Sequence, residues 1–415
     1  MTGTLSAVLI IVENLPVPFD RRVWQEARTL LEAGYRVSVI CPKGRGFEQS
    51  RETCEGIEIY RHPVWEASGP LGYLLEYAWA LAAEFYLALK VYARTRFRIL
   101  HACNPPDTIF LIGLFFKLLG VRFIFDHHDL NPELFEAKFS KHGFFYRLVC
   151  LAERLTFRTA DVSIATNESY REVAITRGGM PPERVFVVRS CPELKNIHWG
   201  PARPELKEGK SYLVVYVGVM GPQDGVDLLL ESIEHIVKRS EKLRGSGQAL
   251  QSETLSLSSS RDDTLFVLIG AGTELARLQA LAAAKGLESV VKFTGRIPDD
   301  ELAAYLSTAD VCVAPDPRNP MNDKSTMNKI LEYMAYGRPV VLFDLTEGRR
   351  SAADAALYAR PNDPQDFAEQ ILKLLDSESL RRQLGEIGHK RIQERLNWEI
   401  EKNALLEAYS NVTTG

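Results

Sequence analysis

The stretch DPRNPMNDKSTMNKILEYMAYGRP, Asp316–Pro339, decides how this chain is read. A short apolar run, Val311–Ala314, ends just before it, and a polar loop follows. The pattern predicts a helix starting around Ser325–Thr326. Gly337 suits the residue just past that helix, and Pro339 prevents its continuation. The next apolar run starts at Val340, which makes the stretch one strand–loop–helix–strand unit. Working outward, the same rhythm recurs. Strands are predicted at Tyr212–Val217, Leu265–Ile269, Val290–Phe293, Val311–Ala314 and Val340–Phe343 in the second half. In the first half they are predicted at Ala7–Val12, Arg36–Ile40, Ile57–Arg61, Arg98–Ala102, Arg122–Phe125, Val162–Ala165 and Val185–Val188. Strands alternating with helices imply parallel sheets with right-handed crossovers. The expected fold is therefore α/β, with two Rossmann-like domains facing across a cleft.

The predicted boundaries are an N-terminal domain at 1–190, a linker at 191–210 punctuated by Pro192, Pro201 and Pro204, and a C-terminal domain at 211–390. A flexible Ser-rich insertion is expected at 240–263 and a helical tail at 391–415. The 415 residues are 46 % hydrophobic and 25 % charged, enough to bury a core in each half. Fifty basic against 54 acidic residues give a net charge of −4. That balance offers no general attraction for nucleic acid, so an anionic ligand must be gripped by a local cluster. The six scattered cysteines form no Cys-x-x-Cys pair and read as reduced residues of a cytoplasmic protein without a structural zinc site. The start lacks the basic region of a signal peptide, and no apolar run reaches the roughly 18 residues of a spanning helix.

In open α/β sheets ligands sit at the carboxyl ends of the strands, so the loops there carry the candidates. A polar loop entering a helix, with Lys324 before it and Lys329 within it, suits an anion, because free N–H groups and the helix dipole favour negative charge. Glu332 on the same helix is placed to accept from vicinal hydroxyls. A capped amphipathic helix with solvated charges would show the same pattern. Phe293-Thr294-Gly295-Arg296 ends another strand, where Gly295 lets a flat ring approach and Arg296 reaches for phosphate. Gly218 and Gly221 permit close approach of a ligand or a tight turn. Gly270-Ala271-Gly272 suggests a dinucleotide fingerprint, but Leu275 replaces its third glycine, so a strand-to-helix turn is favoured. In the first half Asp126-His127-His128-Asp129 closes a strand; adjacent histidines point different ways, so one faces the cleft while a carboxylate holds its neighbour. Pro18-Phe19-Asp20-Arg21 places Asp20 as an N-cap, with Arg21 and Arg22 against the helix dipole. Asn104 ends a further strand.

At these residues the sequence resembles the family-4 retaining glycosyltransferases of the GT-B fold. Asn328-Lys329-Ile330-Leu331-Glu332-Tyr333-Met334-Ala335 with Gly337 and Pro339 carries the most specific match; Glu32–Val37, Asp126–Asp129 and Tyr216–Asp227 add to it. The resemblance implies a nucleotide sugar, UDP- or GDP-linked, on the C-terminal half and an acceptor glycan or lipid-linked glycan on the N-terminal half. It implies Glu332 on the ribose, Ser325, Thr326 and Met327 on sugar and phosphates, Phe293, Gly295 and Arg296 at the base, and Gly218 close to the donor. It places His128 near the reacting sugar, with Lys324 and Lys329 as catalytic cations. Pro18, Phe19, Asp20, Arg21, Asn104 and Asp129 fall on the acceptor side. The sequence departs from the family at Lys324, where a first glutamate is usual, and at Val219 and Asp224, where diphosphate-gripping cations are usual. No Asp-x-Asp pair placed for metal holding occurs, so transfer without metal or other cofactor is expected.

Leu71–Tyr92 is largely apolar and is followed by Arg94, Arg96 and Arg98; Phe144-Phe145-Tyr146-Arg147 comes later, with Arg154 and Arg158 beyond it. Such stripes suit either the inner face of an anionic membrane or a core helix with cations at its end. The expected activity is hexosyl or N-acetylhexosaminyl transfer in polysaccharide or glycoconjugate synthesis. The alternatives are a sugar-nucleotide epimerase and a non-catalytic two-domain sugar-nucleotide-binding protein.

Overall fold

The computed structural model describes residues 6–65, 70–139, 143–245 and 263–414; most of the expected Ser-rich insertion lies outside them. The chain forms two units. Residues up to Ser190, joined by those from Glu399 on, make the first, and Cys191–Trp398 makes the second.

The first unit runs β1 (Ala7–Ile11), α1 (Arg21–Glu32), β2 (Arg36–Pro42), β3 (Arg51–Cys54), β4 (Ile57–His62), α2 (Pro70–Thr95), β5 (Ile99–Cys103), α3 (Phe110–Lys117), β6 (Arg122–His127), α4 (Asn131–Phe139), α5 (Phe144–Thr159), β7 (Val162–Ala165), α6 (Glu168–Thr176) and β8 (Val185–Val187). Its eight strands lie in the order β3-β4-β2-β1-β5-β6-β7-β8, all parallel except β3 against β4. Strands such as β1 and β5 are buried on both faces and read as unbroken apolar runs, as parallel sheets require. β3, whose Arg-Glu-Thr-Cys sequence lacks an apolar pattern, gives no such signal; it forms by pairing at the sheet edge.

The second unit runs β9 (Tyr212–Val217), α7 (Val226–Gly245), β10 (Thr264–Ile269), α8 (Leu275–Ala284), β11 (Val291–Gly295), α9 (Asp299–Thr308), β12 (Val311–Ala314), α10 (Asn328–Ala335), β13 (Val340–Phe343), α11 (Thr346–Ala352), β14 (Ala356–Ala359), α12 (Pro364–Leu375) and α13 (Glu378–Glu394). Its six strands are all parallel, in the order β11-β10-β9-β12-β13-β14. Cores lie on both faces of this sheet, one against α7, α8 and α12, the other against α9 and α10.

Two expectations about connections need correction. Cys191, Ile197 and Leu206, within the expected linker, pack into the second core. The expected tail is divided: its first residues finish α13, while the last helix, α14 (Trp398–Thr414), has every residue from Glu399 on in the first unit. The apolar side chains of α14, Leu405, Ala408, Tyr409 and Val412, are buried there at helical spacing.

Candidate active site

In each sheet the strand order reverses once, and that reversal opens a crevice at the carboxyl ends of two neighbouring strands. In the second unit it falls between β9 and β12. The loops after these strands are fastened together, since Asn322 Nδ2 donates to Gln223 O and Pro317 O, both at 2.9 Å. Helix α10 is pinned above them by Tyr333, whose hydroxyl accepts from Val217 N at 2.8 Å and donates to Val313 O at 3.3 Å.

Lys329 stands at this reversal. Its Nζ lies 2.8 and 3.1 Å from the two oxygens of Asp316 and 4.9 Å from the centre of the Tyr216 ring. Both partners are nearly enclosed, with side chains 11 % and 3 % exposed. Gly218 closes the group, because a Cβ there would stand 3.4 Å from Lys329 Cε and 2.7 Å from the Tyr216 hydroxyl. Burial pushes the carboxyl of Asp224 up, although it accepts from Gly221 N at 2.8 Å. Asp316, the carboxylate that answers Lys329, is the member of this group that sequence reasoning missed. Its signal was its place two residues after a buried strand; its partner is thirteen residues further on.

Helix α10 begins at Asn328, not at Ser325–Thr326 as expected. Asn322–Lys324 forms a 3-10 turn, and the Ser325 hydroxyl bonds back to Met321 O at 2.8 Å, which delays the helix until Met327 caps it in an extended conformation. Ser325, Thr326 and Met327 thus form the approach to the helix. Lys329 falls in its first turn and Glu332, half-buried, in its second. Lys324 ends the 3-10 turn. Phe293 and Gly295 lie on β11, the edge strand two positions from β9, with Arg296 exposed just beyond; at the usual strand spacing that is roughly 10 Å away. Gly295 adopts φ 69°, the left-handed region open to glycine.

The glycines at 270 and 272 have a structural use. A Cβ on Gly270 would lie 1.8 Å from Gly218 O, and one on Gly272 would lie 2.3 Å from Met220 O. The turns after β9 and β10 interlock through these contacts and through Met220 N donating to Ala271 O.

In the first unit the reversal lies between β1 and β5, and β6 is next to β5. Its centre is Asp126, fully buried. Arg22 Nη2 reaches Asp126 Oδ1 at 3.0 Å, while His128 Nε2 lies 2.7 Å and His101 Nε2 3.3 Å from Oδ2. Arg22 also donates to Val188 O at 2.8 Å and Ser190 Oγ at 3.2 Å. Burial alone would raise the Asp126 carboxyl, but Arg22 and His128 outweigh it and hold the group well below the usual range. Glu26 is pushed well up, first by burial and then by Asp126 beside it. Arg22, not Arg21, is the arginine turned into this centre; Arg21 lies on the exposed side of α1. Asp20 caps α1 as expected, accepting from Val23 N at 3.1 Å.

The two histidines point apart. His127 is sealed among Phe125, Phe157 and Tyr170, and burial lowers its pKa to about 3. His128 is partly exposed at the strand end. Asn104 is buried and shapes this turn: its Oδ1 accepts from His128 N at 2.6 Å and Asp129 N at 3.1 Å, and its Nδ2 donates to Asp129 O at 2.7 Å. Asp129 is half-buried. Pro18 and Phe19 belong to the loop after β1, with Phe19 6.3 Å from Phe47.

His101, Cys103 and Asp126 offer ligand atoms within 4.8 Å of one another, the spacing of a metal triad. The donor set does not suit a cation, because the Arg22 guanidinium already neutralises Asp126 and would repel one.

Two Rossmann-type units, each with a polar crevice where its strand order reverses, define a two-domain α/β protein of the GT-B class. Residues 20–191 match the model of a glycosyl transferase 4-like domain, and residues 202–391 match that of glycosyl transferases group 1. The chain belongs to this family-4 group of glycosyltransferases. Similar curated proteins include a D-inositol 3-phosphate glycosyltransferase of Geodermatophilus obscurus, 28 % identical over 271 residues, 64 % of this chain and 54 % of the relative. A 2-deoxystreptamine glucosyltransferase of Streptomyces kanamyceticus is 23 % identical over 86 % of this chain and 89 % of its own. The chain spans about half the length of the first curated relatives it matches, 46 % and 54 %. Among solved structures, sucrose-phosphate synthase from Thermosynechococcus elongatus superposes with a TM-score of 0.74 at 19 % identity, over 99 % of this chain and all of the other. Anabaena HepE in complex with UDP-glucose gives 0.72 at 15 % identity, over 98 % and 100 %.

Proposed function

We propose that this protein moves a hexosyl or N-acetylhexosaminyl group, with retention, from a nucleoside-diphosphate sugar to an acceptor hydroxyl in glycoconjugate or polysaccharide synthesis. The observation that carries this reading is the enclosed Lys329–Asp316–Tyr216 group at the strand reversal of the second unit, beneath the approach to α10. A diphosphate over this group meets Lys329 and the N–H groups of the α10 first turn, with Lys324 and Arg296 on the neighbouring loops. Ser325, Thr326 and Met327 hold the sugar and phosphates, Glu332 the ribose hydroxyls, Phe293 and Gly295 the base, and Gly218 lets the donor approach the backbone. The acceptor is received by the first unit through Pro18, Phe19, Asp20, Arg21, Asn104 and Asp129, with His128 orienting the transferred sugar.

In the front-face step the bond from the anomeric carbon to the diphosphate oxygen breaks with its electron pair. The acceptor oxygen bonds to the same face, and its proton passes to the departing diphosphate. Fixed cations stabilise the charge that develops on that leaving group without reorganisation. No metal is assigned a part. The test is calorimetry with UDP, GDP and ADP, followed by turnover of the sugar of whichever binds. Uptake of none would sink the reading, and isomerisation of the sugar without an acceptor would replace it with an epimerase.

A lipid-linked acceptor at the inner face of an anionic membrane is supported by one surface of the first unit. The crossovers β4 to β5, β5 to β6 and β6 to β7 all run the same way along the sheet, so α2, α3 and α5 lie on one face. Their outer sides expose Trp79, Tyr86 and Leu89 on α2, Leu111, Leu114 and Phe115 on α3, and Phe144, Leu148 and Leu151 on α5. Phe85 and Phe115 join α2 to α3 with ring centres 4.9 Å apart. Among the described residues of these helices every exposed charged side chain is a cation: Lys90, Arg94, Arg147, Arg154 and Arg158. In a chain of net charge −4 that segregation complements an anionic bilayer. Among the described residues no helix is long and apolar enough to cross a membrane; the contact proposed is peripheral. Sedimentation with phosphatidylglycerol-rich vesicles at low salt is expected, weakened by Leu148→Glu with Leu151→Glu. Equal recovery with pure phosphatidylcholine vesicles would remove the anionic-surface claim.

A further inference from the structure

The second unit has a cavity at the end of its sheet remote from the strand reversal. Asp310 stands just before β12, and Arg338 and Pro339 stand just before β13, so these three mark the amino ends of the strands. With Trp199, Gly337 and the adjoining side of α13 they line an open cavity of about 510 Å³, within the roughly 300–1,000 Å³ of small-molecule sites. No residue assigned above to the donor or the acceptor takes part in it.

Trp199 forms one wall. The chain is fastened directly after it, since Gly200 N donates to Ser307 Oγ at 3.3 Å and Arg203 N donates to Thr308 Oγ1 at 2.9 Å. The indole is inclined by 26° to the Tyr336 ring, with centres 6.3 Å apart, and the His389 ring stands nearly perpendicular to it at 5.0 Å. Gly337 leaves room for this arrangement, because a Cβ there would stand 3.1 Å from Trp199 Cη2. Despite these contacts Trp199 is 52 % exposed, whereas Trp398, the other tryptophan of this unit, is buried. The result is a flat apolar surface, held in place and open to solvent over half its area.

The polar groups around the cavity sort into two kinds. Asp310 accepts from Lys207 Nζ and Leu213 N, both at 2.8 Å. Arg338 donates to Ala309 O and Ser307 O, both at 2.9 Å, and Arg381 donates to Leu374 O and Leu375 O, both at 2.7 Å. These three are committed to the frame. Glu378, Arg382 and Glu386 recur every four residues along α13 and are exposed, with Arg382 Nη2 donating to Glu378 Oε1 at 3.0 Å. Two carboxylates and one guanidinium leave this row negative, which disfavours a phosphate or other anion. The row offers acceptors and a fork of donors side by side, and hydroxyl groups answer both because each of them donates and accepts. The negative face of an aromatic ring attracts the partially positive C–H groups of a ligand. A sugar ring presents both features, hydroxyls around its rim and C–H groups on its face.

We propose that this cavity seats a sugar unit of a neutral glycan chain, with Trp199 against the ring and Glu378, Arg382 and Glu386 on its hydroxyls. A glycan held there stays with the enzyme between transfers, which raises its effective concentration at the acceptor site. That role rests on the glycosyl-transfer reading; the binding itself does not.

Affinity electrophoresis of the whole chain tests the seat, in native gels carrying dextran, mannan, galactan or soluble starch and without any nucleotide sugar. Retardation on at least one of these is expected. Trp199→Ala is expected to weaken it about tenfold or more, the scale of truncating an aromatic anchor. Arg382→Ala with Glu386→Ala changes only exposed side chains, so it separates loss of binding from loss of fold, and it too is expected to weaken retardation. Of the five tryptophan indole N–H signals, the one missing from Trp199→Ala should move when the retarding glycan is added as an oligosaccharide. Retardation by none of the four, or equal retardation of the parent and both variants, would overturn the proposal. So would binding to heparin alone that vanishes at high salt, which would mark a charged patch instead. Absence of nucleotide binding would end the glycosyl-transfer reading but leave the retardation standing, so the two failures are distinguishable.

Discussion

Replacing Lys329 by Met tests the centre of the second unit most directly. The change removes an ammonium 2.8 Å from Asp316 and leaves that carboxylate 3 % exposed with its cation gone. Breaking one side of a buried pair costs about 3–5 kcal/mol, because the remaining charge is uncompensated. The lost attraction to the Tyr216 ring adds about 0.5–2 kcal/mol at a desolvated site. For a unit of this size each kcal/mol lowers Tm by roughly 2–4 °C, so the second unit should melt lower by roughly 7–28 °C. Asp316→Asn combined with Lys329→Met removes both charges and should return stability to within about 1 kcal/mol of the parent. Turnover separates from stability at this point. If Lys329 neutralises the leaving diphosphate, single and double variants should both lose about 10²–10³ in kcat, the scale of one lost preorganised donor. Scanning calorimetry reads the first effect, and release of nucleoside diphosphate from a nucleotide sugar reads the second. A double variant that melts as low as the single would refute the ion-pair argument, and one that keeps parental turnover would refute the role in catalysis.

Two further outcomes follow from the geometry. His127 is buried and its pKa is lowered to about 3, so its neutral form belongs to the folded state; its contribution is complete above pH 6.5 and is lost as pH falls toward 3, by at most about 4–5 kcal/mol. His127→Phe, among rings centred 5.1–5.4 Å away, should flatten the acid limb of stability below pH 6.5, and superimposable curves of midpoint against pH would contradict this. Gly270→Ala puts a methyl 1.8 Å from Gly218 O at φ 138°, so the interlocked turns must separate; a loss of about 2 kcal/mol or more by urea denaturation is expected, together with weaker nucleotide binding.

Much of the architecture was legible because parallel strands buried on both faces are unbroken apolar runs, and such runs are local. The alternation of β9 to β13 with helices, the stop at Gly337 and Pro339 and the cap at Asp20 were each visible within a few residues. β3 and β14 were not. The first has no apolar pattern, and the second, Ala-Leu-Tyr-Ala, is too short to stand apart from its surroundings; both exist because a neighbouring strand offers them hydrogen bonds.

The charges that belong to the sites divide in the same way. By itself the sequence marked Lys329, Glu332 and His128 through their places in a helix and at a strand end, since secondary structure follows spacing along the chain. Only the tertiary structure decided which groups answer them: Asp316 for Lys329, and Arg22 with Asp126 for His128. The hydroxyl of Tyr409 reached His101 in the same manner. Those partnerships depend on which strands lie side by side and on where the last helix crosses back. Strand order is set by packing between distant segments, about which the periodicity of any one segment carries no information.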